Sequence, residues 1–130
     1  MKPPLRRFAL FGVLVLCSSC ANASAGTGAP RMERDLLTRE QIREHGYTNL
    51  YQAIEAVRPR WLQTRGTDSF NNPTRVQVYL DDIRLGGIEH LRSIATSEIT
   101  YVRYYDGISA SARWGLDHGQ GVIFVSRRPL

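Results

Sequence analysis

Cysteine is nearly missing from this 130-residue chain: it occurs twice, at Cys17 and Cys20, both within the first twenty positions. Nothing that folds downstream can be braced by a disulfide or built around a thiolate-bound zinc. Lysine is scarcer still, with Lys2 alone, so the remaining basic side chains are arginines apart from three histidines. Those histidines, His45, His90 and His118, stand far apart, without the spacing of a metal-ligand set. No apolar run reaches the ~20 residues that a membrane-spanning helix needs. The longest, FALFGVLVL at 8–16, falls well short. The chain shows no internal repeat.

What is present is clearest at the start. A basic MKPPLRR precedes the apolar run, and the small residues CSSCANASA follow it. This is the pattern of a secretory signal. Two cleavage readings stand. Ala21-Asn22-Ala23 fits the A-x-A rule of ordinary signal peptidase. Ser18-Ser19-Cys20 resembles a bacterial lipobox, with Cys17 where leucine is usual. The lipobox reading is preferred because the apolar run ends at the right distance and Cys20 otherwise has no role. It makes residues 1–20 a lipoprotein-type signal peptide and Cys20 the lipidated residue. The expected location is the cell envelope, at the outer membrane facing the periplasm, since Ala21-Asn22 carries no retention aspartate. Cys17 and Cys20 also spell C-x-x-C, but a redox motif belongs at a strand-to-helix junction inside a fold.

The formal net charge is +5; without Lys2, Arg6 and Arg7 of the leader it falls to +2. The basic balance is therefore largely a leader property, and nucleic acid is not an expected partner. Residues 21–35, rich in Ala, Gly, Ser and Thr, read as a flexible tether. Residues 36–130 remain for one small domain of about 95 residues, held by its core alone.

Within that domain Leu36-Leu37 reads as a short strand. Thr38-Arg-Glu-Gln41 is a capping box that starts a short helix stopping at Gly46. Thr48 or Asn49 caps a second helix, whose Leu50, Ala53, Ile54 and Val57 form one apolar stripe. Pro59 halts it. Trp61–Thr64 suits a strand, and residues 66–73 a loop. Arg75–Leu80 alternates, with Val76, Val78 and Leu80 on one face and Gln77 and Tyr79 on the other. Asp81-Asp82 turns the chain into Ile83–Leu85. A short helix over Ile88–Ile94, a strand over Ile99–Tyr105, a small-residue helix over Ile108–Trp114 and a buried strand at Val122–Val125 complete the order. The predicted class is α+β: a mixed, mostly antiparallel sheet with three to four short helices.

Ser109, Ser111, Asp117 and His118 invite a hydrolase reading. The nucleophile elbow needs G-x-S-x-G, and Gly107-Ile-Ser109-Ala-Ser111 lacks its second glycine. As sequence neighbours, Asp117 and His118 point apart, so solvated loop residues are the simpler expectation. Gly115-x-x-x-Gly119-x-Gly121 leads into a strand and does not open a helix, so it cannot aim amides at a phosphate. Asp81-Asp82 has no further acid at metal-site spacing. Trp61, Tyr104, Trp114 and Phe124 read as core or core-edge aromatics. Tyr101, Arg103 and Tyr105 share one strand face, which suits packing or an interface better than base stacking.

The second half carries a resemblance. Val78-Tyr79-Leu80-Asp81, Leu91-Arg92-Ser93-Ile94, Ser97-Glu98-Ile99, Ala112-Arg113-Trp114-Gly115 and Gly119-Gln-Gly121-Val-Ile-Phe-Val125 follow one another as the corresponding elements do in the plug domain of TonB-dependent outer-membrane receptors. Upstream, Leu50–Ile54 and Arg65-Gly66 resemble that domain's first helix and the strand after it. The match spans about residues 36–128. Asp82 departs from the usual turn glycine, residues 21–35 hold no clear TonB-box-like segment, and 130 residues leave no room for the receptors' large barrel. The resemblance therefore implies a stand-alone plug-like lipoprotein that binds and does not transport. Its expected partners are the membrane, through the anchor, and an outer-membrane receptor or other envelope protein, or a small ligand. No cofactor, metal or catalytic residue is expected. The candidate interaction surface is Tyr79, Asp81, Asp82, Tyr101, Arg103 and Tyr105. The rival is a small secreted periplasmic enzyme, or a soluble module, using Asp117 and His118.

Overall fold

The computed structural model describes residues 34–66 and 74–130. The expected signal peptide, Cys20, all but the last two residues of the expected 21–35 tether and all but the first residue of the expected 66–73 loop lie outside them.

Strand β1 (Leu36–Thr38) leads directly into helix α1 (Arg39–Arg43). The capping box forms in both directions: the Gln41 amide donates to Thr38 Oγ1, and the Thr38 amide donates to Gln41 Oε1 at 3.1 Å. Asn49, one of the two candidate caps, accepts from the Gln52 amide at 3.1 Å and opens α2 (Leu50–Val57). Of the expected apolar stripe, Leu50, Ala53 and Ile54 are fully shielded and Val57 is partly buried against the core. Each large, fully shielded member of the stripe stabilises the fold by about 1.5–3 kcal/mol.

After α2 the prediction fails. Residues 61–64 form no strand; Pro59–Leu62 is a 3₁₀ turn. Proline at the first position fixes a helical φ, and the Trp61 ring stacks on Tyr104 at 5.6 Å. Burial of that one ring decides the backbone. The Ile88–Ser93 segment is likewise 3₁₀ and not α, with Leu91 as its buried residue.

Strands β2 (Gln77–Leu80) and β3 (Ile83–Gly86) form the hairpin, and Asp81 takes the left-handed position of the turn at φ 53°. Strand β4 (Tyr101–Tyr105) follows. Asp106 caps α3 (Gly107–Trp114) by accepting from the Ser109 amide at 2.8 Å, and Gly115 ends that helix at φ 105°. Strand β5 (Val122–Ser126) closes the domain.

The five strands form one sheet in the order β1-β4-β5-β2-β3, in which only the β2–β5 pair is parallel. The domain is α+β, and the apolar run VIFV is a central strand, as its composition implies. Its outermost strands are three and four residues long, which leaves little free edge.

The sheet is covered on two sides. The inner side carries Leu37, Val78, Val102, Tyr104, Ile123 and Val125 against α1, α2 and the 3₁₀ turns. On the outer side, α3 covers one end, over Tyr79 and Val122, with Ala110 as its buried contact. Tyr79 therefore does not face solvent; it is 8% exposed. No described helix is long and apolar enough to cross a membrane.

Candidate functional site

The outer side of the sheet is where side chains remain both chemically distinctive and accessible. Period-two alternation along β4 sends Val102 and Tyr104 inward and leaves Tyr101, Arg103 and Tyr105 half-buried on the outer side. The register then adds neighbours that are remote in sequence. Phe124 of β5 and Leu36 of β1 stand directly opposite Arg103. Cross-strand partners have Cβ atoms about 4.5–5.5 Å apart, so Arg103 sits among two tyrosines, a phenylalanine and a leucine.

The rings form a connected layer. Tyr101 and Tyr105 each lie 6.4 Å from Phe124, and Trp114 of α3 meets Tyr105 edge-on at 5.0 Å. Trp114 also packs on Tyr79 at 5.1 Å, which ties this layer to the covered end. Arg113 lies over the border: its guanidinium carbon is 4.8 Å from the Trp114 ring and 5.4 Å from the Tyr105 ring, and Nη1 donates to the Tyr105 hydroxyl at 3.1 Å. On the outer side of α3 and the turn after it, Ile108 and Leu116 are exposed.

Among the described residues two arginines, Arg39 and Arg103, carry a buried Nε with no hydrogen-bond partner, and Arg103 is the one in this layer. A buried donor left unmet costs about 1–3 kcal/mol, and more when charged. Arg127 pairs with Asp81 and Arg128 with Asp82. Arg103 and Arg113 are thus two cations on an aromatic surface, with rings and a phenol for neighbours and no ion pair among the described residues.

The other sequence candidates have structural partners. Asp81 is 9% exposed. Its Oδ1 accepts from the Ser126 hydroxyl and the Arg127 amide, and its Oδ2 from Arg127 Nε at 3.1 Å. Burial alone would raise the Asp81 carboxyl, but the Arg127 amide and guanidinium and the Ser126 hydroxyl together hold it below the usual carboxylate range. The turn is stapled to the end of β5 and offers no free acid there. Asp82 is exposed, and its 3.8 Å contact with Arg128 is a surface pair of small energetic weight.

His118 is no solvated loop residue; it is 3% exposed. Its Nδ1 lies 3.1 Å from the Gly115 carbonyl and its Nε2 2.9 Å from the Tyr79 hydroxyl. A carbonyl only accepts, so Nδ1 carries the proton, and in the neutral ring Nε2 accepts from Tyr79. Both ring nitrogens are occupied, Asp117 is exposed beside them, and no serine hydroxyl bonds the ring. The described residues hold no cluster of three His, Cys, Asp or Glu side chains able to bind a metal.

Tyr101, Arg103 and Tyr105 were visible in the sequence as one strand face. Phe124, Trp114 and Arg113 join them only through register and the placement of α3, which no local pattern encodes. Compared with protein-family models, with curated proteins and with solved structures, the chain gives no match.

Proposed function

We propose that this chain is an envelope lipoprotein, anchored through Cys20 and facing the periplasm from the outer membrane. Its plug-like domain is a protein-binding module with neither catalytic nor transport activity of its own. The observation that carries the binding role is Arg103, a guanidinium with a buried, unmet Nε at the centre of a half-open aromatic surface. Tyrosine, tryptophan and arginine dominate the energetics of protein interfaces, and a pleated sheet face suits a protein better than a small molecule that needs a concave site. The partner presents a carboxylate to Arg103 or Arg113, because neither has an ion pair among the described residues.

A photo-crosslinker at Tyr101, in cells that make the chain at native level, tests this. The wild-type chain is expected to give a discrete adduct with another envelope protein. Arg103→Glu is expected to abolish it, while Arg43→Glu, on the exposed side of α1, leaves it intact. An adduct that survives Arg103→Glu with unchanged yield removes the reading. The anchor is tested separately: radiolabelled fatty acid enters the wild-type chain and is lost in Cys20→Ala. An unlabelled wild-type chain refutes lipidation and leaves the binding role standing.

A further inference from the structure

A second feature lies on another part of the molecule. The end of α2, the following 3₁₀ turn, the start of the described chain and the end of β4 enclose an open cleft of about 810 Å³. Four arginines line it: Arg34, Arg58, Arg60 and Arg65. They outnumber the two aspartates of the lining, Asp35 and Asp106, by two. Asp106 is already engaged, since its Oδ1 caps α3. Trp61 and Tyr104 form a stacked, largely buried floor.

The wall is held in place from afar. Gln120, itself 5% exposed, accepts from the Arg65 amide at 2.8 Å and donates to the Gly66 carbonyl at 3.2 Å. Arg58 is fixed by neutral acceptors: Nε donates to the Arg34 carbonyl at 3.2 Å and Nη1 to the Val57 carbonyl at 3.1 Å. A guanidinium has five N–H donors, so Arg58 keeps three for other use and its charge is not compensated by those bonds. Burial pushes the Tyr104 hydroxyl up from its ordinary pKa, against the pull of Arg65, so the phenol beneath the arginines stays neutral.

We propose that this cleft binds a phosphate group. A carboxylate occupies one guanidinium fork, whereas a phosphate monoester or diester offers three or two acceptor oxygens to several forks at once. The cleft also has room for a phosphate's organic substituent, since small-ligand sites span about 300–1,000 Å³. The same chemistry is presented by a free phosphate ester and by the headgroup of an anionic phospholipid, and the two sources are separable in one experiment.

The full chain is titrated with inorganic phosphate and with glycerol phosphate by calorimetry. In the Cys20→Ala background, where an anchor cannot dominate, it is also sedimented with phosphatidylcholine vesicles with and without phosphatidylglycerol. Each measurement is repeated on Arg60→Gln/Arg65→Gln and on a charge-matched control, Arg43→Gln/Arg92→Gln, away from the cleft. Binding of the soluble phosphates alone, weakened about tenfold or more in the cleft variant and not in the control, supports a free ligand. Binding to anionic vesicles with the same pattern supports a headgroup. Arg58→Lys keeps the charge but not the fork, and is expected to weaken binding by an intermediate amount. Absence of binding in both arms overturns the proposal, as does equal loss in the cleft and control variants.

Discussion

Asp81 is the residue whose role changed most between sequence and structure. A side chain that reads as an exposed turn acid is a buried staple between the β2–β3 hairpin and the end of β5. Its carboxyl is held below its ordinary value of 3.8 in the fold. The sign follows: the stabilisation is present in full above the unfolded-state value and is lost as pH falls through it to the folded-state value. Asp81→Asn is therefore expected to cost about 1–3 kcal/mol at neutral pH. It is also expected to flatten the acid-side loss of stability between pH 5 and pH 3. Urea unfolding across that range measures both effects, and an unchanged pH dependence in the variant contradicts the staple. Tyr79→Phe addresses another buried polar contact. It leaves His118 Nε2 unmet inside the outer cluster and is expected to cost a similar 1–3 kcal/mol. A loss near zero in urea unfolding shows that the ring nitrogen finds water instead.

At the scale of elements, the glycines around α3 set how closely it sits. A Cβ on Gly107 would lie 1.9 Å from the Gly119 carbonyl oxygen, with backbone on both sides and no flexible side chain to yield. Inside a helix, alanine is ordinarily better than glycine by about 1 kcal/mol. Here the collision reverses the sign, and Gly107→Ala is expected to destabilise by about 2–4 kcal/mol; a gain in thermal midpoint refutes the close approach. Much of the element level was legible beforehand. Strands β2, β4 and β5 announce themselves by alternation or by an apolar run, and Thr38 and Asn49 mark helix starts through their own side-chain chemistry. The Trp61 segment was misread because local pattern cannot report a stacking partner 43 positions away, Tyr104. The same limit explains the candidate surface. Tyr101, Arg103 and Tyr105 alternate in plain view. Tyr79 obeys the same period, but α3 lands on it, and Phe124 and Arg113 arrive through long-range pairing. Of the four cleft arginines, Arg58, Arg60 and Arg65 share one short stretch of sequence, but Arg34, Tyr104 and Asp106 reach the cleft only through the fold.

The whole molecule is organised by β5. It pairs with β4 on one side and β2 on the other, and its alternate residues feed both layers: Ile123 and Val125 the inner core, Val122 the outer cluster. Neither layer can lose its support unless this strand also leaves the sheet. No cysteine lies within the described domain, so no crosslink can hold one layer while the other melts. The two tryptophans report the layers separately, since Trp61 stacks on Tyr104 inside and Trp114 packs on Tyr79 and Tyr105 outside. In Trp61→Phe the remaining fluorescence follows the outer layer, and in Trp114→Phe the inner one. Each substitution shifts stability by its own amount, so the comparison belongs within each variant. In both, the fluorescence transition in urea is expected to coincide with that of far-ultraviolet circular dichroism, as a single cooperative unit requires. A Trp114 signal that melts at lower urea than the backbone would show that α3 and the aromatic layer open on their own. The proposed binding face would then be a mobile cover, with its rings available beneath it, and not a fixed surface.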